Sequence, residues 1–172
     1  MNRNHYILIM LLIVGIFTSC KKSDIEYGSD FDKSYKTWLD FKASSHNSYR
    51  YKVSFGSWTG YSDETVITVK DGRIVARAYT ATMIEHPSNQ VTVREEWAED
   101  SKSLNTHING SATFTLDEIY EKAKTVWLVK RKDAKVYLET KNNGMISSSG
   151  YVPDNCADDC FNGITITSIE AI

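Results

Sequence analysis

A chain of 172 residues with 41% apolar content and 12% aromatics is long enough to bury one core and too apolar for disorder. Its 20 Lys and Arg stand against 22 Asp and Glu, a formal charge of -2 with a pI near 6.1. That balance excludes a nucleic-acid binder that works through a general positive surface, because a polyanion rewards clustered cations.

The chain begins with Arg3 and an uncharged run from Tyr6 to Phe17. As a helix that run is about 18 Å long, short of the ~30 Å hydrocarbon core, so it reads as the apolar stretch of a secretory signal. It ends in Phe17-Thr18-Ser19-Cys20, followed by Lys21-Lys22. Small residues directly before a Cys resemble a bacterial lipobox, although Phe17 stands where Leu is usual. The resemblance implies cleavage before Cys20 and acylation of its thiol, an anchor strengthened by about 0.8 kcal/mol per buried methylene. The expected division is a lipoprotein signal peptide over 1–19, a short tether over 20–29 and a single α+β domain over 30–172. The chain then belongs in the bacterial envelope, held to the membrane by lipid. By resemblance to other lipoproteins, Lys21 points to the outer membrane.

Asp30 is placed to cap a helix whose Phe31, Tyr35, Trp38 and Phe41 recur at three- and four-residue spacing, one aromatic face. After Asn47 the period becomes two: Tyr49, Tyr51, Val53 and Phe55 alternate with polar residues, a strand with one buried face. A loop over 56–63 follows, then strands over 65–70 and 73–83 around Asp71-Gly72, a strong hairpin signal. Residues 91–97 alternate again, and the polar stretch 99–111 reads as a connection. Thr115-Leu116-Asp117-Glu118 is a capping box. It opens a helix with Leu116, Ile119, Ala123 and Val126 on one stripe, running to about Val129. Strands over 135–140 and 145–152 flank Asn143-Gly144, and 164–169 closes the chain. The expected fold is α+β in the order α-β-β-β-β-α-β-β-β, an antiparallel sheet with two helices packed on one face.

Several of these segments form an ordered series. Tyr49-Arg50-Tyr51 is followed by 66–69 running into Asp71-Gly72-Arg73-Ile74-Val75, then by Phe114-Thr115-Leu116-Asp117-Glu118-Ile119-Tyr120. Gly150-Tyr151, Ala157-Asp158-Asp159 and Gly163-Ile164-Thr165-Ile166 complete it. The series resembles a domain-of-unknown-function family of exported, often lipid-anchored bacterial proteins. That resemblance implies a small α+β domain similar to PepSY-like and β-lactamase-inhibitor-like modules, without an established activity. The chain departs from the family by placing Cys156 and Cys160 around the Ala-Asp-Asp segment and by lacking the cysteines some members carry after the first strand.

With Cys20 acylated, Cys156 and Cys160 remain as a pair, and in an oxidising compartment they read first as a local disulfide. Free or redox-active thiols and a metal site are the alternatives. A redox pair usually has two intervening residues, and a metal needs further ligands, whereas His46, His86 and His107 lie far off in sequence. Asp154, Asn155, Asp158 and Asp159 are weak calcium candidates, since the alternating spacing and central Gly of a calcium loop are missing, and a solvated turn is the simpler reading. Trp58 and Tyr61 form the candidate binding loop, aromatics that either anchor a ligand or fold back over the open end of the sheet; the cover is the favoured reading. Glu95-Glu96 and Glu99-Asp100 read as a solvated acidic edge, and Lys130-Arg131-Lys132 as a helix C-terminus.

Neither a Gly-x-Ser-x-Gly elbow nor a His-Glu-x-x-His is present in the sequence. The expectation is therefore a non-catalytic binding or structural module of the envelope. It would need no cofactor or metal and would not bind nucleic acid; its partner would be a protein, peptide or glycan. An inhibitor-like or regulatory domain is the alternative, with a metal-dependent hydrolase behind it.

Overall fold

The structure is a computed structural model that describes residues 24–157 and 160–172. Cys20 and the leader, like Asp158 and Asp159, lie outside the described residues. Along the chain run α1 (Gly28–Ser44), β1 (Tyr49–Gly56), β2 (Tyr61–Lys70), β3 (Arg73–Glu85) and β4 (Gln90–Asp100). They are followed by α2 (Leu116–Lys122), a π-helical turn (Ala123–Trp127), β5 (Ala134–Glu139), β6 (Ser148–Pro153) and β7 (Asn162–Ala171). The class is α+β. The seven strands form one sheet in the order β4-β3-β2-β1-β7-β6-β5, antiparallel at every pairing. Among the described residues no helix is long and apolar enough to cross a membrane.

The rows of paired residues explain where the core sits, because residues opposite each other in antiparallel strands share a face. Tyr49 pairs with Val69 and Tyr51 with Ile67, and all four are fully buried. Trp38 of α1 meets Tyr49 edge to face at 5.2 Å, and its indole Nε1–H donates to Asp117 of α2 at 2.9 Å. Tyr49 is tied to α2 as well: its hydroxyl accepts from the Leu116 amide at 2.8 Å. Tyr120 stacks on Trp38 at 6.3 Å and shares a 2.8 Å hydrogen bond with Ser34. Burial raises the hydroxyl pKa of Tyr49, Tyr51 and Tyr120 above the ordinary tyrosine value.

Local signals govern most element ends. Asp71 and Gly72 both hold positive φ, 49° and 74°, as a two-residue hairpin turn requires. Thr115 caps α2, with the reciprocal Glu118 contact of a capping box.

Four expectations need correction. Asp30 sits in the first turn of α1 and does not cap it; the cap position is Tyr27, in the left-handed region with no side-chain bond. The chain is engaged before residue 30: Ile25 bridges Val129 and the Glu26 amide donates to Leu128 at 2.7 Å, which shortens the tether. The second helix is not a plain α-helix to Val129, so the element order gains a π turn. That turn shifts the buried stripe to Trp127 and Leu128 and leaves Val126 exposed. Finally, the strand expected from 145 starts at Ser148, because Met145 and Ile146 are spent filling the core.

Candidate functional site

Where β1 and β7 separate, an apolar groove of about 640 Å³ opens. Val53, Phe55, Ala112, Phe114, Trp127, Phe161 and Ile164 supply its apolar walls, and every other lining side chain is uncharged. Each wall has a separate origin. Phe55 continues the alternation of β1 past the last residue paired with β7. Trp127 reaches the groove through the π turn, and Phe114 lies just before the capping box.

Phe161 is held by its neighbours. Gly150 and Gly163 face each other across β6 and β7, and a Cβ on either would come within 2.5 or 2.8 Å of the Phe161 ring. The ring therefore lies on a patch of bare backbone that only glycine provides. One residue upstream, Cys160 is disulfide-bonded to Cys156, their Cα atoms 6.2 Å apart, which closes the loop leading into this wall.

Trp58 stands at the β1–β2 turn and is 82% exposed, so the expectation that it covers the sheet end is overturned. The turn is tied at its base by Ser57 to Tyr61 and by Ile84 to Gly60 backbone bonds, which leave the indole projecting outward. Tyr61 takes a different part. It belongs to β2, packs 6.4 Å from Phe55, and its hydroxyl shares a 2.9 Å bond with Tyr79. The two candidate residues are neighbours in sequence but only Trp58 is free to meet a partner.

The acidic edge also needs correction. Glu99 is not solvated: its side chain is 0% exposed and that of its partner Arg77 is 4% exposed. Arg77 Nε and Nη2 donate to the two carboxylate oxygens at 2.9 Å each. The Asn105 and His107 amides donate to the same carboxylate at 2.8 Å, joined by the Thr106 hydroxyl at 3.2 Å. These donors hold its pKa far below the usual carboxylate range, with Arg77 the largest cause. His107 completes the cluster, its Nδ1 3.1 Å from Glu99 and its ring stacked on Trp97 at 4.3 Å. Arg77 further donates to the backbone oxygens of His107 and Ser111, so the pair pins residues 105–111 of the connection onto β3 and β4. At the apex of that connection Ile108 is almost fully exposed, a residue with no periodic signal around it.

Glu95 accepts from Trp97 and Asn109, and Arg131 donates to the Val126 carbonyl at the end of the π turn, as expected of a cation at a helix C-terminus. Of the calcium candidates, Asp154 and Asn155 are described, both exposed; the Asp154 amide donates to the Asp133 carbonyl at 2.9 Å. Among the described residues no group of three or more His, Cys, Asp or Glu is arranged to hold a metal. A second recess of about 430 Å³ lies between α1 and α2; of its four acids, Asp32, Asp117, Glu118 and Glu121, Asp117 is engaged by Trp38 and Lys42 and Glu118 by the Thr115 cap.

No protein-family model matches the chain, and no curated protein or solved structure matches it significantly.

Proposed function

We propose that this is a lipid-anchored protein of the bacterial envelope that binds a protein or peptide partner, without catalysis, through the groove between β1 and β7. In this reading both helices pack on one face of the sheet, and the groove is the part of that face left open. The observation that carries it is the groove itself: wide, walled by four aromatic rings of the sheet, loops and π turn, and lined by no ionisable side chain. Support against an enzyme comes from how the most enzyme-like cluster is used, since the Glu99 carboxylate is saturated by Arg77 and by the loop it retains. The lipobox-like Cys20 supports the anchor, and the resemblance to exported, lipid-anchored proteins supports the compartment. Outer-membrane sorting rests on Lys21.

The inhibitor-like alternative keeps one favourable observation, the projecting Trp58 on a tight hairpin beside the groove. Both readings are tested by crosslinked pull-down of the full-length protein from native envelopes. A partner lost in Phe55→Arg but retained in Trp58→Ala supports the groove, and the reverse supports the hairpin. Equal recovery with all three proteins contradicts both. The anchor is tested separately: Cys20→Ala is expected to leave the membrane fraction, and full retention there contradicts acylation.

A further inference from the structure

The two strands that flank the groove stop pairing within it. β1 and β7 pair from Tyr49 opposite Ala171 to Val53 opposite Ile166, with a slip between Lys52 and Val53, and go no further. Beyond that point Ser54, Phe55 and Gly56 pair with Glu64, Asp63 and Ser62 of β2. Residues 162–165 pair with 148–151 of β6. Among the described residues neither segment has a strand partner on its other edge. In an antiparallel strand the amide and carbonyl of every second residue point across each edge, so both borders of the groove offer main-chain donors and acceptors. A small apolar molecule would fill the aromatic walls and leave those groups unmatched, at a cost that hydrogen bonding by an extended chain avoids. A charge lies next to the groove, outside its uncharged lining. The Lys122 ammonium sits 4.8 Å over the Phe114 ring and 5.9 Å from the Trp127 ring, two of the walls.

We propose that the groove takes an extended peptide segment of a partner protein, laid along the free edges of β1 and β7 as an added strand. Alternate apolar side chains of the segment fill the space between Phe55, Trp127 and Phe161, and an acidic side chain or a C-terminal carboxylate meets Lys122. Main-chain pairing supplies affinity, while the aromatic pockets and the lysine supply selection. The inference rests on the groove being the binding site proposed above, and it names the occupant.

The test uses the full-length protein in detergent micelles and a phage-displayed library of random dodecapeptides, followed by synthesis of an enriched sequence. Enrichment of alternating apolar sequences with an acidic group toward one end is expected. N-methylation of a pairing amide should weaken binding about tenfold, the effect of one lost hydrogen bond. Lys122→Met should weaken the acidic peptide several-fold and leave its amidated analogue unchanged. Phe55→Arg, at an exposed position, should abolish binding while the circular dichroism stays that of the parent. If N-methylation at every position is harmless but Phe55→Arg still abolishes binding, the added strand is wrong and the groove stands. If binding survives Phe55→Arg, the groove reading falls too. Failure to enrich any peptide over empty micelles overturns the proposal.

Discussion

Along one sheet face, Tyr49 and Val69 are buried against rings, whereas Arg77 and Tyr79, farther across the same sheet, are buried under a loop. At the first region Trp38 and Phe41 pack on Tyr49 and Tyr120 on Trp38, with centroid separations of 5.2–6.4 Å, and the tyrosine hydroxyls find buried partners in Leu116 and Ser34. At the second, Gly110 approaches Tyr79, Thr65 and Trp97 closely, and the segment is kept there by a buried ion pair. Removing atoms from the ring cluster leaves a void, while removing one member of the ion pair leaves a charge without its partner. The first failure is a loss of contact and scales with volume; the second is electrostatic and should release a defined segment.

Substitutions can separate the two. Trp38→Ala should have the largest effect, a loss of about 4 kcal/mol on urea unfolding, in the range for buried Trp and Phe truncations. Arg77→Met should cost roughly 3 kcal/mol by leaving the Glu99 carboxylate buried beside an apolar chain. Hydrogen exchange would then show faster exchange at 105–111, with Tyr49 and Tyr51 unchanged; uniform acceleration would mean that the two regions do not act separately. Gly163→Ala should cost about 2 kcal/mol, because its Cβ would lie 2.2 Å from the Ser149 carbonyl and must displace the β6–β7 pairing.

The ion pair also sets a pH response. The folded protein lowers the Glu99 pKa, so its contribution is fully present above the unfolded value near 4.3 and is lost progressively as pH falls below it. Unfolding midpoints should therefore drop on the acid side, and Glu99→Gln, less stable near neutrality, should show a shallower acid decline. The ring cluster responds at the other extreme. Tyr49 and Tyr51 have raised pKa values through desolvation, so their stabilisation holds below about 10 and fails as pH rises further. Trp58→Ala is the smallest expected change, within about 0.5 kcal/mol, since the indole is exposed.

The contrast also marks what could be read in the sequence. The ring cluster was legible because its signals are local: the Phe31–Phe41 spacing, the alternation from Tyr49, the Asp71-Gly72 turn and the Thr115 cap each lie within a few residues. The ion pair was not. Arg77 and Glu99 are 22 residues apart, and only the β3–β4 register, which contains an irregularity between Ala81 and Thr82, brings them opposite. Glu99 in sequence belongs to an acidic run, and nothing local distinguishes it from Glu96, which is exposed. The groove was equally hidden, because Phe55, Trp127 and Phe161 come from three segments and meet only where β7 changes partners. Trp58 and Tyr61 drew attention to the end of β1 where the groove lies for a local reason, an aromatic loop bounded by glycines.

The groove as the binding surface is the claim on which the functional account turns. A photoreactive benzoylphenylalanine placed at Phe55, and in a second protein at Leu39, exposed on α1 toward the Tyr49 end of β1, tests it most directly when both are irradiated in intact envelopes. The account predicts a discrete crosslinked species from position 55 and none from position 39. Crosslinks from 39 alone, or the same pattern from both positions, would contradict it.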